Sequence, residues 1–199
     1  MSRYMDSDKS GMERLRQHFA DEVRSRFAFL SDLGFTEIEA TLALVRFQNL
    51  NGDVEVGVYY ERQSYELGIT VTHGGISCSL GQMIRVVEPQ TGKEYRDFAV
   101  TTESGLTEGL ERLVKLTKRY GQRAIQGDLE FYADLEIKRK SWVHEYALDV
   151  LVNQLRPKAE EAFRRGDYRN AAELYERIRS RLTAAELKKL AIATERDRA

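Results

Sequence analysis

The first clear pattern along the chain is an apolar stripe with helical spacing. Its members follow one another at intervals of three or four residues, which places them on one face of an α-helix. Gly34 comes directly after the stripe and predicts the end of this helix, because glycine readily takes the positive φ of a terminating residue. The stripe consists of Leu15, Phe19, Val23, Phe27, Leu30 and Leu33.

After Gly34 the apolar spacing changes to every second residue, which is typical of strands with one buried face. Asn51 and Gly52 predict a hairpin turn of type I′, in which both residues have positive φ. Pairing Leu50 with Asp53 across this turn sets the register of the two strands. Apolar residues then face each other in the pairs Phe47 with Val56, Val45 with Val58, and Ala43 with Tyr60.

A second hairpin is predicted to follow, with residues 61–64 as its loop and Tyr60 opposite Tyr65. This register places Gly57 opposite Gly68, which leaves bare backbone in the middle of the sheet. The same face stays apolar across both hairpins, so the pattern predicts a three-stranded antiparallel meander. The apolar pairs of the second hairpin are Val58 with Leu67, Val56 with Ile69, and Val54 with Val71.

Residues 74–96 permit two interpretations. In the first, which we favour, Ser79 caps a short helix. In the second, residues 84–87 form a fourth strand. Residues 89–93 are predicted as a loop because they combine proline with glycine. The helix of the first interpretation contains Gln82, Met83, Val86 and Val87.

From Leu106 to the C-terminus the pattern is helical. Gly127 ends the first of these helices, and Asp128 is suited to cap a long helix after it. Pro157 is expected in the first turn of the next helix, where its missing N–H costs no hydrogen bond. The first helix is marked by Leu106, Leu110, Leu113, Thr117, Tyr120 and Ala124, and the long one by Leu135, Trp142, Tyr146 and Val150.

Together these elements predict an α+β fold. It consists of an N-terminal helix, a three-stranded antiparallel meander with a fourth strand as an open alternative, and an all-helical C-terminal half. We expect residues 1–11 to be disordered and residues 12–127 to form an α+β body. Residues 128–199 are expected to form a helical region packed on that body.

Small residues, a glycine turn and two tyrosines follow Leu155 in the order Ala159, Ala162, Gly166, Asp167, Tyr168, Ala171, Tyr175 and Ile178. This arrangement resembles a tetratricopeptide repeat, in which small residues let two antiparallel helices approach closely. The resemblance covers residues 155–182 and implies a helical hairpin. Thr183 and Glu186 suit a capping box for a third helix. Because Leu155 replaces the usual aromatic residue and no second copy exists, the family's ligand-binding residues are not transferred.

Composition and charge exclude several classes of function. A formal net charge of −1 gives no general attraction to nucleic acid or to anionic membranes. A single cysteine, Cys78, excludes a framework of intrachain disulfides. Residues 1–11 are polar rather than signal-like, and the chain contains no apolar run of membrane-spanning length. We therefore expect a cytoplasmic protein that binds neither membrane nor nucleic acid.

The sequence contains no convincing catalytic, cofactor or metal motif. His73 lies five residues before Cys78, a spacing that does not ensure contact between a thiol and its base. His18, His73 and His144 share no metal-ligand spacing. Gly74, Gly75 and Gly81 do not match a phosphate-binding loop, so we expect no bound cofactor or metal.

The outward face of the predicted meander is the candidate binding surface. Strands between residues 35 and 73 contain six acidic residues but only Arg46 and Arg62 as bases, which favours a basic protein partner. The alternative is that helices after Leu106 cover this face. The candidate partner-binding residues are Arg46, Glu55, Gly57, Tyr59, Glu66, Gly68 and Thr70.

These observations predict a non-enzymatic protein-binding module. The arrangement of the first 155 residues is broadly similar to small bacterial immunity and adaptor proteins, which act by surface contact with a protein partner. Two alternatives stay open. One is an enzyme with a site near His73 and Cys78, and the other is a helical self-assembly module that forms a homodimer through the apolar residues of its lone repeat.

Overall fold

The computed structural model describes residues 18–61 and 63–197. The predicted disordered segment 1–11 and Leu15 of the first apolar stripe lie outside these residues. The chain divides into two compact units, Met1–Glu136 and Ile137–Ala199, and the division falls within one long helix. The expected packing of the C-terminal region on the body stays a prediction.

The first unit combines helices with a six-stranded antiparallel sheet in the described residues. The strand order is β1-β2-β3-β4-β5, and β6 pairs with the free part of β4. The elements are α1 (18–26), α2 (Phe29–Asp32), β1 (Phe35–Ala40), β2 (Leu44–Asn49), β3 (Val54–Tyr60), β4 (Glu66–His73), β5 (Ile76–Ser79), α3 (Leu80–Val87), α4 (Pro89–Glu94), β6 (Phe98–Ala99), α5 (Glu103–Tyr120) and α6 (Gln122–Ile125).

These elements confirm the predicted α+β class and its N-terminal helix. The described members of the first apolar stripe up to Leu30 are fully buried. Gly34 has a φ of +82° and ends the helical segment, as expected. The strand β1 was not predicted, because most of its side chains are exposed and its pairing with β2 is interrupted by a bulge between Glu37 and Glu39.

The predicted register of the first hairpin is confirmed. Val45 pairs with Val58 and Phe47 pairs with Val56. The turn itself is not type I′, because Gly52 has a φ of +75° whereas Asn51 is not in the positive-φ region. Instead the amide of Gly52 donates to the carbonyl of Asn49 at 2.9 Å, and the hairpin closes over a longer loop.

Replacing Gly52 with valine is expected to destabilise the protein by about 1–2 kcal/mol, because a β-branched side chain at positive φ meets its own backbone. Urea denaturation of the two proteins measures the loss. Asn51→Ala is the matched control in the same turn, since Asn51 needs no special φ. Wild-type stability for Gly52→Val would contradict the positive φ of Gly52.

The predicted register of the second hairpin is wrong by two residues. Tyr60 pairs with Leu67 rather than lying opposite Tyr65, and Gly57 pairs with Thr70 rather than facing Gly68. The cause is Tyr65, which takes a φ of +60° and belongs to the loop. A shift of two residues keeps every side chain on its own face, so the apolar alternation cannot reveal it.

The ambiguous segment 74–96 contains both a strand and helices. Ser79 caps α3 and forms a reciprocal capping box with Gln82, which confirms the favoured interpretation. A fourth strand of the meander also exists, but it is β5 and precedes the helix instead of occupying residues 84–87. The predicted loop 89–93 is wrong, because Pro89 occupies the first turn of α4, where proline is favoured.

The inner face of the sheet forms the core of the first unit, and helices α5 and α6 pack against it. Tyr60 reaches this layer and donates its hydroxyl hydrogen to the carbonyl of Val100 at 2.9 Å. Gly127 lies so close to the sheet that a β-carbon there would be 3.1 Å from a methyl group of Val54. The buried inward residues are Val45, Phe47, Val54, Val56, Val58, Tyr60, Leu67, Ile69 and Val71.

The long helix α7 (Leu129–Arg165) begins in the first unit and continues into the second. Asp128 caps it, as predicted, by accepting the amide of Phe131 at 3.1 Å. The predicted break at Pro157 is wrong, because α7 continues through that residue. Pro157 is exposed, and the buried positions Leu155 and Ala159 lie on either side of it, so tertiary packing outweighs one lost backbone hydrogen bond.

The second unit is a three-helix arrangement of the end of α7, α8 (Tyr168–Arg177) and α9 (Ala184–Asp197), with a 3₁₀ turn at Arg179–Arg181. Gly166 has a φ of +78° at the turn between α7 and α8. Thr183 and Glu186 form the expected capping box, since each side chain accepts the backbone amide of the other residue. Three apolar clusters give this unit its own core.

Candidate functional site

The predicted site residues share the outer face of strands β2, β3 and β4. Arg46 pairs with Gly57, which in turn pairs with Thr70, so these three residues form one row across the sheet. Tyr59 pairs with Gly68 in the next row. Glu55 precedes the first row on β3, and Glu66 begins β4 at the other end of the face.

The predicted depression between two facing glycines does not exist. The ring of Tyr59 lies over Gly68, so a β-carbon on that glycine would overlap the phenol. The hydroxyl of Thr70 lies close to Gly57 and donates to its carbonyl at 3.4 Å. Each glycine is therefore covered by the side chain of its partner on the adjacent strand, an arrangement that compensates for the packing a glycine lacks.

No described helix buries Arg46 or Glu66 on the outer face, so the predicted alternative is wrong for these two residues. The side chain of Arg46 is 40% exposed and Glu66 is also exposed, whereas Val56 and Val58 on the inner face of the same sheet are inaccessible to solvent. Polar side chains and one tyrosine thus remain in contact with water on a rigid scaffold.

Arg46 is neutralised by its neighbours within the sheet. Its Nε donates to Glu39 at 2.6 Å, and its terminal nitrogen lies 3.2 Å from a carboxylate oxygen of Glu55. The pKa of the guanidinium is raised, mainly by the hydrogen bond that it donates to Glu39. Two carboxylates around one guanidinium leave this end of the face with an excess of one negative charge.

The other end of the face carries a cluster that sequence patterns did not reveal. The segment between α4 and β6 places Tyr95 and Asp97 near Tyr59 and Glu66. Tyr95 packs against Gly81 at the start of α3 and donates its hydroxyl hydrogen to Asp97 at 3.0 Å. We call Tyr59, Tyr95, Glu66 and Asp97 the tyrosine–carboxylate cluster.

The two carboxylates of the tyrosine–carboxylate cluster lie outside the ion pairs of the described residues, and Arg112 is the described cation whose charge acts on Tyr95. Within the described part of the chain, neither Glu66 nor Asp97 forms an ion pair. Partial removal from water raises the pKa of Asp97, and repulsion from Glu66 raises it further. Burial raises the pKa of Tyr59, with added contributions from Asp97 and Glu66. The two phenols therefore stay protonated near neutral pH, and the cluster favours a cation.

The raised pKa of Asp97 predicts how stability depends on pH. The folded protein binds the proton of Asp97 more tightly than the unfolded chain does, so its carboxylate destabilises the fold at pH above the folded pKa. We expect Asp97→Asn to be more stable than wild type at neutral pH. This difference should vanish at a pH of about 3, where both states of the wild-type protein are protonated. Urea midpoints at both pH values measure it.

Glu37 provides a control, because its pKa is shifted in the opposite direction to that of Asp97. Its hydrogen bond with Arg24 lowers the pKa of Glu37, so the charged carboxylate stabilises the fold above the unfolded pKa. Glu37→Gln should therefore lower stability at neutral pH and lose that effect in acid. A neutral-pH stability of Asp97→Asn at or below that of the wild type would show that Asp97 is not destabilising.

The structure places His73 and Cys78 in the inner layer. Cys78 is only 1% exposed, and its thiol donates to the carbonyl of Val71 at 3.4 Å. His73 lies 3.7 Å from a carboxylate oxygen of Asp53 and packs on the ring of Tyr132. A thiol in this position packs as a small apolar side chain and is not presented to a substrate in solution.

The remaining candidate features are metal ligands, basic side chains and membrane-spanning helices. In the described residues, no group of three His, Cys, Asp or Glu side chains is arranged to hold a metal ion. On the 3₁₀ turn of the second unit, Arg179 pairs with Glu176 at 3.0 Å and Arg181 pairs with Asp149 at 3.4 Å. No helix in the described ranges has the length and apolar character needed to cross a bilayer.

No family model, curated protein or solved structure matches the chain. The resemblance of residues 155–182 to a tetratricopeptide repeat and the similarity to immunity and adaptor proteins therefore stay predictions.

Tyr59 and Glu66 belong to the site predicted from the sequence, whereas Tyr95 and Asp97 do not. Both missed residues lie between short elements, where no periodic pattern assigns them to a face. The sequence offers one indication of these two residues: a tyrosine and a carboxylate follow closely after a proline–glycine segment that is predicted to be irregular. Only the packing of Tyr95 against α3 brings them to the sheet.

Proposed function

We propose that this chain is a non-enzymatic protein-binding module of the immunity or adaptor type. It acts in the cytoplasm by holding a basic protein partner on the outer face of its sheet. The observation that supports this proposal most directly is the tyrosine–carboxylate cluster, in which Glu66 and Asp97 lie beside two tyrosine rings and form no ion pair with any described residue. A lysine or arginine of the partner would supply the missing charge.

The physical basis is electrostatic attraction combined with an aromatic anchor. Tyrosine and arginine are enriched among the residues that dominate binding energy at protein interfaces. A guanidinium or ammonium group gains from the face of a tyrosine ring as well as from a carboxylate. Strands β3 and β4 position Tyr59 and Glu66 rigidly, so little conformational entropy is lost when a partner binds.

The raised pKa of Asp97 also supports a binding role. A carboxylate whose pKa is raised by partial burial and by a like charge weakens the folded state. Titrating groups with perturbed pKa values concentrate at functional sites. A bound ligand of opposite charge offsets the unfavourable free energy of such a group in the folded state. The arrival of a cation would lower the pKa of Asp97 and remove its repulsion from Glu66.

The proposal is tested by fluorescence anisotropy with a labelled oligo-arginine peptide as the probe. The double variant Glu66→Gln/Asp97→Asn removes the two unpaired carboxylates. Glu173→Gln/Glu176→Gln is the matched control on α8, because it makes the same change in net charge at carboxylates that pair with Arg169 and Arg179.

We expect the wild-type protein and the control to bind the probe with similar affinity and the cluster variant to bind it at least several-fold more weakly. Added salt should weaken wild-type binding, since the attraction is between exposed charges. Equal affinity of the cluster variant and the control would contradict a site at the outer face.

A further inference from the structure

A cavity of about 220 Å³ opens on the first unit between α2, α5 and α6. Phe29, Leu33 and Ile125 give it apolar walls, and Thr117 and Lys118 of α5 also line it. We call this space the α5 cavity. Because it shares no residue with the tyrosine–carboxylate cluster, a ligand in it would be a second occupant, separate from the proposed protein partner.

Thr117 carries a buried hydroxyl group that lacks a hydrogen-bond partner. The residue is inaccessible to solvent although it lines the α5 cavity, and its Oγ1 forms no hydrogen bond with any described group. Its methyl group lies near Gly121, which does not line the cavity, since a β-carbon on that glycine would be 3.3 Å from the methyl carbon. Buried polar groups in native proteins are nearly always paired, so an unpaired hydroxyl beside a cavity indicates a partner that a ligand supplies.

Lys118 gives the α5 cavity one positive charge. Its ammonium nitrogen lies 4.6 Å from the centroid of the Phe29 ring, and within residues 18–61 and 63–197 it forms no ion pair. None of the described residues that line the cavity is acidic. The exposed amide side chains of Gln122 and Gln126 add further hydrogen-bond donors. The polar part of the lining therefore favours an anion.

We propose that the α5 cavity binds a small monocarboxylic acid with an apolar body of about the size of one aromatic ring. The carboxylate would accept the hydroxyl hydrogen of Thr117 and pair with the ammonium group of Lys118, since these are consecutive residues of α5. An inorganic anion would leave the walls formed by Phe29, Leu33 and Ile125 in contact with water. A neutral apolar molecule would leave the hydroxyl and the ammonium group without partners.

The volume of the α5 cavity limits the size of the ligand and its affinity. Pockets for drug-sized molecules enclose roughly 300–1,000 Å³, so a cavity of about 220 Å³ holds a ligand of about ten non-hydrogen atoms. With one ion pair and a few apolar contacts, we expect a dissociation constant on the order of 0.1–1 mM. Benzoate combines one ring with one carboxylate and is therefore the probe.

Nuclear magnetic resonance titration of the full chain with sodium benzoate at neutral pH tests the proposal. The resonances of the backbone amides of Leu33, Lys118 and Gln122 should shift and reach saturation. Benzyl alcohol, which has the ring without the charge, should bind at least several-fold more weakly. Acetate, which has the charge without the ring, should cause no saturable shift. Absence of saturable shifts with benzoate, or equal affinity for benzyl alcohol, would overturn the proposal.

Thr117→Val and Lys118→Met test the two polar groups separately, and each should weaken benzoate binding at least several-fold. Lys115→Met is the matched control, because it removes the same charge from an exposed lysine of α5 that does not line the cavity, and it should bind like the wild type. Thr117→Val should melt at the wild-type temperature or higher, since it removes an unpaired buried hydroxyl, so its weaker binding would not reflect unfolding. Wild-type affinity in either variant, or equal losses in Lys118→Met and Lys115→Met, would overturn the proposal.

Discussion

Replacing Val58 with aspartate is expected to unfold the first unit. Val58 is fully buried on the inner face of β3, between strands β2 and β4. A carboxylate at this position would be removed from water with no basic partner, or would have to be protonated. We expect a loss of more than about 4 kcal/mol, as for other unpaired charges placed in a core. Circular dichroism during urea denaturation measures the loss.

Thr72→Asp is the matched control for this experiment. Thr72 lies on the neighbouring strand but on the outer face, where its hydroxyl is 2.8 Å from that of Ser77. The same charge on this partly exposed side should cost no more than about 1 kcal/mol. Similar losses for the two variants would show that the sheet does not have one buried and one solvated face.

Replacing Tyr175 with alanine is expected to cost the second unit about 3–5 kcal/mol, because it opens a large cavity. Tyr175 is fully buried in the cluster that joins α7 and α9, beside Ala159 and Leu190. Its hydroxyl is also buried, and no described group forms a hydrogen bond with it. Loss of helical circular dichroism signal with temperature reports the effect.

Tyr175→Phe separates the ring from the hydroxyl. A buried hydroxyl without a hydrogen-bond partner costs free energy, so its removal should leave the stability unchanged or higher. A large loss in Tyr175→Phe would mean that the hydroxyl has a partner, and a small loss in Tyr175→Ala would contradict the buried position of the ring.

The two hairpins show what apolar alternation can and cannot predict. The first register was correct because Asn51 and Gly52 locate the turn independently of the strand pattern. The second loop has no comparable marker, and Tyr65 enters it by taking a positive φ, which is rare for a tyrosine. The faces were still assigned correctly, since a two-residue shift preserves them.

The helices of the C-terminal half could be predicted only in part, because long-range packing decides where they end. The sequence predicts that a new helix begins at Pro157, where the missing N–H costs no hydrogen bond, but α7 continues through it in contact with α8 and α9. The caps at Ser79, Asp128 and Thr183 were predicted correctly, since capping depends on a few neighbouring residues.

The candidate site was only partly predictable for the same reason. Alternation placed Tyr59 and Glu66 on the outer face, and the structure confirms that placement. Asp97 and Tyr95 reach the site through a tertiary contact with α3, which no spacing along the chain encodes. The predicted depression at Gly68 was wrong because its partner on the adjacent strand is Tyr59, whose ring covers it.

The central claim is that the tyrosine–carboxylate cluster receives a cationic side chain of a protein partner. Nuclear magnetic resonance titration of the full chain with a short arginine-containing peptide tests it residue by residue. We expect that the resonances of the backbone amides of Tyr59, Gly68 and Asp97 shift, that those of Glu173 and Glu176 on α8 do not, and that a glutamate-containing peptide has no effect. Shifts spread evenly over all acidic residues, or absent at Gly68 and Asp97, would contradict it.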